Sequence, residues 1–228
     1  MTTFVLVHGA WHGGWAWDRV APLLADAGAR VVAPDLTLGR DVGLSAHAEE
    51  VIAAIDQVSN GTTVLVGHSY GGLVVRQAAD RRPERVAHIV LVDGWAGPDG
   101  VSMRTLIPSW FAADGDGWRL PAPIDGWRMP APPPAVFGIE DVQDAAWLQQ
   151  RLRPHSLRTF TEPTRLTGAV GEIPGSALYC RPPRLPFADM GERLGYRLVG
   201  IDGPHDVMLT DPARVSAEIL AAAASVRD

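Results

Sequence analysis

Ser69 is the residue in this chain best placed to do chemistry. It stands in "TTVLVGHSYGGLVV" (62–75), where strand-favouring residues run into a Gly-x-Ser-x-Gly corner and then into apolar residues at helical spacing. A strand, tight turn and helix of this kind hold the apex side chain clear of the backbone, in strained dihedral angles, and Gly67 and Gly71 leave room for the turn. The helix start beneath the hydroxyl favours negative charge building up beside it. The blander reading is a serine that only caps the helix. A serine hydroxyl is a weak nucleophile until a base stands within hydrogen-bond reach. Of the seven histidines, His205 in "GIDGPHDVML" is the best candidate, because it follows a late strand in a Gly-Pro loop before the last helix. Acyl transfer also needs two preorganised N–H donors for the developing oxyanion. The amide of Tyr70 is one candidate, and the glycine-rich loop "HGAWHGG" offers the other at Ala10.

The remaining histidines have weaker claims. His8 and His12 flank the first loop and are expected to shape it through hydrogen bonds, and His68 to pack at the corner. His47, His88 and His155 are expected on a helix surface, in a strand and in an inserted segment. No two histidines stand at helical ligand spacing with a carboxylate between them, so no metal site is expected. All twenty basic residues are arginine. Without lysine there is no Schiff base and no Walker-type phosphate loop, and no cofactor is expected. The net charge of −6, with no basic run, argues against nucleic acid and anionic membranes and leaves a small hydrophobic molecule as the expected partner. Cys180 is the sole cysteine and reads as a buried structural thiol. The start "MTTFVLVHGAW" has no basic n-region and too short an apolar run for a signal peptide, so a cytoplasmic location is expected.

At 228 residues the chain suits one well-buried core. Strand and helix signals alternate through the first half: "TFVLVHG", then helical "WDRVAPLLADAG" closed by Gly28, then strand "ARVVAPD". Helix "SAHAEEVIAAIDQV", strand "TTVLVGHS", helix "YGGLVVRQAADRRP" and strand "RVAHIVLVDG" follow. The strands are continuous apolar runs, which a parallel sheet covered on both faces requires. The expected class is α/β, a doubly wound and mostly parallel sheet. It resumes with "GSALYC", helix "FADMGERLG", strand "YRLVGID" and closing helix "PARVSAEILAAAASV", with Asp211 as N-cap and Pro212 in the first turn.

Between the two regular parts, 95–172 is rich in Pro, Gly and Trp, and only "VQDAAWLQQRL" reads as firmly helical. A long irregular stretch inside a regular pattern marks a functional insertion or a linker, and tryptophans disfavour a linker. It reads as a cap over a pocket, inserted into a core made of 1–94 and 173–228. Trp11, Trp95, Trp110, Trp118 and Trp127 are the candidate substrate-binding residues, since indole buries apolar area and its N–H orients a carbonyl. The competing reading is that such residues only anchor the segment to the sheet.

Taken together, "FVLVHGAWHGGWAW", "LVGHSYGG" and "GPHDVMLTDPARVSAEIL" resemble the α/β-hydrolase superfamily, in particular the branch of plant methylesterases, hydroxynitrile lyases and bacterial esterase relatives. The resemblance implies Ser69 as nucleophile, His205 as base, and the Ala10 and Tyr70 amides as oxyanion hole. The lyases of that branch carry a lysine directly after the histidine and a threonine after the first-loop histidine, where this chain has Asp206 and Gly9. The resemblance usually places the triad acid a few residues after the strand equivalent to "ALYC", but "RPPRLPF" offers no carboxylate there. The related haloalkane dehalogenases include members with the acid one strand earlier, which here is Asp93 in "LVDG", the candidate acid; the alternatives are Asp189 and a Ser-His dyad with no acid.

The leading expectation is a cofactor-free serine hydrolase of a small hydrophobic, including aromatic, ester, lactone or thioester. Two others stand beside it: lyase, cyclase or dehydratase chemistry on the same Ser-His pair, and a non-catalytic binding protein on this scaffold. Composition and motifs leave the oligomeric state open.

Overall fold

The computed structural model describes residues 1–58, 61–108 and 122–225. Among these residues six strands form one sheet: β1 (Thr2–Val7), β2 (Arg30–Val32), β3 (Thr62–His68), β4 (His88–Val92), and, after an antiparallel pair of β5 (Arg128–Met129) with β6 (His155–Ser156), β7 (Gly175–Arg181) and β8 (Arg197–Asp202). Their order is β2-β1-β3-β4-β7-β8 and every pair in it is parallel. Central strands β1, β3 and β4 are buried along nearly their whole length, and Val5 lies opposite Leu65 as Val66 does opposite Val90. That burial on both faces is why they read as unbroken apolar runs.

The first helical signal is divided. A 3₁₀ turn at Gly14–Trp17 precedes α1 (Ala21–Asp26), where Pro22 occupies the first turn. Gly28 takes φ 84° after it, and the Ala29 amide returns to the Leu24 carbonyl to close the helix. Helices α2 (Leu44–Asp56) and α3 (Gly71–Arg81) pack against each other. The closing helix, Pro212–Ala224, starts as expected: the Asp211 carboxylate accepts from the Arg214 amide.

After β4 the chain leaves the sheet. Among the described residues this excursion holds a helical turn at Met103–Leu106, the antiparallel β5–β6 pair, a 3₁₀ turn at Pro134–Phe137, and helices Val142–Gln149 and Leu157–Thr161. Its return is tied to α3 by Asp80, whose carboxylate accepts the amides of Thr167, Gly168 and Val170. Among the described residues no helix is long and apolar enough to cross a membrane.

Candidate active site

The strand order changes direction at β1, with β2 on one side and β3 on the other, and ligands of open α/β sheets gather at the carboxyl ends of strands at such a point. The loop after β1, Ser69 after β3, Asp93 after β4 and His205 after β8 all lie at that edge.

Ser69 has φ 49°, a left-handed conformation that a non-glycine residue adopts only when its surroundings impose it. Here the Ser69 amide donates to the Val92 carbonyl, and its own carbonyl accepts from the amides of Gly72 and Trp95. The two motif glycines are steric requirements: a Cβ on Gly67 would lie 2.6 Å from the Gly71 carbonyl oxygen, and one on Gly71 2.5 Å from that of Val7. Gly9 meets the same limit on the other side. A Cβ there would lie 3.0 Å from the Ser69 Cβ, so glycine lets the first loop come up against the serine.

Asp93 is the second strained residue, at φ 44°. Its amide donates to the Leu178 carbonyl at 2.7 Å, and Oδ1 accepts from the Cys180 amide at 2.8 Å. Oδ2 lies 2.7 Å from Nδ1 of His205. The reach is set by sheet order, because β4 and β8 flank β7 and their carboxyl-end loops meet over its end. The exposed Asp189 sits in the first turn of helix Phe187–Arg193. Burial alone would push the His205 imidazole down; the hydrogen bond and charge of Asp93 outweigh it and hold the ring above the ordinary histidine range. The imidazole lies nearly parallel to the rings of Phe187 and Phe137, whose centroids are 5.6 and 6.4 Å away.

The first loop is held from behind by the two histidines that flank it. His8 Nδ1 donates to the Gly9 carbonyl at 2.8 Å, and its Nε2 accepts the Leu36 amide at 3.1 Å. Burial, the largest influence, pushes His8 down to about 3, which keeps it in this neutral tautomer. The Gly9 carbonyl shares its peptide group with the Ala10 N–H, so this bond fixes the plane of the expected oxyanion donor. His12 Nδ1 donates to the Ala10 carbonyl at 2.8 Å. Trp11, between them, has φ 66°.

Ser69, Asp93 and His205 line one open cavity, together with Trp11, Trp95 and Phe137. Of the tryptophans expected at the substrate, Trp11 and Trp95 line it, with the buried Trp95 packed edge-on against Phe187 at 4.9 Å. Trp127 does not; it stands in the turn before β5 with Arg128 over its ring. Trp110 and Trp118 lie outside the described residues. His47, expected on a helix surface, is instead fully buried: it pairs with the Tyr70 hydroxyl at 3.0 Å and the Thr37 carbonyl at 2.8 Å, and its ring lies 5.9 Å from that of His155. Cys180 is buried, which pushes its thiol up and keeps it protonated. The stacking of Phe137 and Phe187 on His205 was not legible in the sequence, since each is there only one apolar residue among many.

The model of the alpha/beta hydrolase family matches residues 4–218. A carbendazim hydrolyzing esterase of Nocardioides sp. (strain SG-4G) is 33% identical, over 97% of this chain and 99% of that one. Methylesterase 2 of Arabidopsis thaliana is 36% identical over 127 residues, half of this chain and 48% of the plant protein. Among solved structures, a variant of tomato methylketone synthase I in complex with β-ketoheptanoate superposes with a TM-score of 0.84 over 99% of this chain and 98% of that one, at 20% identity, a likeness of fold. With a parallel sheet in this order and a serine at its elbow, the chain belongs to the α/β hydrolase family.

Proposed function

We propose that this α/β hydrolase is a cofactor-free serine esterase that cleaves a small, apolar ester through an acyl-enzyme. Ser69 Oγ attacks the ester carbonyl while His205 takes its proton; the imidazolium then returns that proton to the departing alcohol, and water, activated by the same base, releases the acid. Asp93 orients His205 and offsets the charge it gains. The amides of Ala10 and Tyr70 receive the oxyanion. The observation that carries this reading is the 2.7 Å contact of Asp93 with Nδ1 of His205, two residues that line the same cavity as Ser69.

Segment 95–172 acts as the cap of this site, over a core of 1–94 and 173–228. It contributes Phe137 and Trp95 to a mostly apolar lining, which suits an acyl or alcohol group without charge. The esterase and methylesterase names of the relatives support ester cleavage. Two features weigh against lyase chemistry on the same pair. Gly9 has no space for a side chain, and Asp206, directly after the base, is buried and spent on His12. The test is labelling of Ser69 by a fluorophosphonate, followed by turnover of methyl and aryl esters of increasing acyl length. A chain that neither labels nor turns over any ester is not an esterase.

A further inference from the structure

Behind the proposed triad lies a second histidine–carboxylate pair that the acyl-transfer scheme leaves unused. Asp206 and His12 are buried, 0% and 1% exposed, and His12 Nε2 stands 2.9 Å from Asp206 Oδ2. The other nitrogen of His12 donates to the Ala10 carbonyl, which can only accept. The pair therefore holds one proton on Nδ1 and one between Nε2 and Oδ2. An aspartate directly before a short helix ordinarily caps it, yet Asp206 makes no side-chain cap to helix Val207–Thr210. Its carboxylate turns inward. His68 completes the arrangement: its Nε2 donates to the His205 carbonyl at 3.1 Å and lies 3.6 Å from Asp206 Oδ1.

We propose that the His12–Asp206 pair is a positioning device that ties the oxyanion loop to the loop carrying the base. One end grips the Ala10 carbonyl, next to left-handed Trp11; the other is the residue following His205. Neither side chain lines the cavity, so the pair touches no substrate and acts through the groups it holds. Acyl transfer needs the two loops in fixed register, because the base moves a proton to and from the same tetrahedral centre whose oxygen the Ala10 amide receives. A misplacement of about 1 Å at such a centre can cost about 10²-fold in rate. Phe137 spans both loops, stacked on His205 and edge-on to His12 at 5.0 Å, which couples the tie to the cavity wall.

This inference rests on the esterase reading, and its test separates the two. Asp206→Ala is expected to lower kcat by about 10- to 100-fold per fluorophosphonate-titrated site, with KM within about twofold. Asp206→Asn, whose amide can still donate to His12 Nε2, is expected to recover most of kcat. The His12→Ala/Asp206→Ala double variant should lose no more than the worse single one, since both cut one tie. A merely structural pair would lower the melting temperature and leave kcat per titrated site unchanged, which would overturn the proposal. So would an Asn variant as slow as Ala, because the charge and not the hydrogen bond would then matter. Should Asp206→Ala fail to fold, His12→Asn keeps a donor for the Ala10 carbonyl while cutting the tie, and undiminished kcat there overturns the proposal as well. An inert wild type would sink the esterase reading alone. The tie is then judged by NMR: Asp206→Ala must shift the Ala10 amide and the His205 ring, Asp206→Asn must not, and unmoved resonances in the Ala variant refute it.

Discussion

Ser69 brings the proposed reaction a covalent bond and little packing, so its removal separates chemistry from folding. Ser69→Ala is expected to keep the melting temperature within a degree or two while turnover falls on the order of 10⁴- to 10⁶-fold. Near-normal turnover would identify another nucleophile. Asp93 makes a sharper test, because both of its oxygens are occupied, by the Cys180 amide and by His205. Asp93→Asn is expected to lower turnover by up to about 10⁴-fold, since the amide can favour the wrong imidazole tautomer, whereas Asp189→Asn, on an exposed helix turn, should change little. The pH profile carries the same assignment. Only neutral imidazole accepts the serine proton, so activity rises with pH through the titration of His205, and Asp93 holds that midpoint above the ordinary histidine value. In Asp93→Asn the residual activity should therefore rise at lower pH than in the wild type. An unmoved midpoint would mean that Asp93 is not the group that His205 senses.

At the scale of elements, the excursion after β4 depends on its anchors as much as on its own helices. Asp80, at 3% exposed, gives its carboxylate to three backbone amides of the returning chain, and those hydrogen bonds overcome the effect of burial to hold its acid below the usual carboxylate range. Asp80→Ala removes the acceptor for all three. It is expected to destabilise the fold by about 2–3 kcal/mol, read from urea denaturation. A loss under about 0.5 kcal/mol would show that water replaces the carboxylate at no cost. Gly9 tests the first loop. Gly9→Thr puts a branched Cβ 2.9 Å from His68 Nδ1 and 3.0 Å from the Ser69 Cβ, so the loop must withdraw, and ester turnover should fall at least tenfold with β1 intact.

For the whole molecule the notable electrostatic feature is how many histidines the fold buries uncharged. Burial, the largest influence in each, lowers His8 to about 3 and His88 to about 4, and lowers His47, His68 and His155 as well. A histidine whose folded value lies below its unfolded value near 6.5 takes up its proton more readily when unfolded. Stability is then lost as pH falls below about 6.5, at up to about 1.4 kcal/mol per unit for each such group. His205, raised by Asp93, acts in the opposite sense and loses its contribution as pH rises through its folded value, but it is one group against five. The urea midpoint is therefore expected to fall between pH 7 and pH 5, by a few kcal/mol in stability. A midpoint that held or rose over that interval would mean that these histidines are reached by water.

The sheet was legible residue by residue because buried parallel strands must be apolar on both faces, and each strand's pattern is local. Ser69 was legible for the same reason: the strand, glycines and helix that shape its corner are contiguous in the chain. His205 depended on chain order as well as its loop, and Asp93 on the absence of a carboxylate in "RPPRLPF"; its contact with His205 follows from β7 lying between β4 and β8. Other features had no local signal. Trp127 and Trp95 look alike in a Pro- and Gly-rich sequence, yet one lines the cavity and the other stands beside Arg128. His47 reads as a surface residue because a helix pattern names its apolar face but not the partner that covers a polar one; Tyr70, Thr37 and His155, from three separate parts of the chain, cover it. The pairing of His12 with Asp206 joins residues 194 positions apart. Local periodicity could specify the elements, whereas which side chains meet across the sheet edge was decided by strand order and by how the loops close over it.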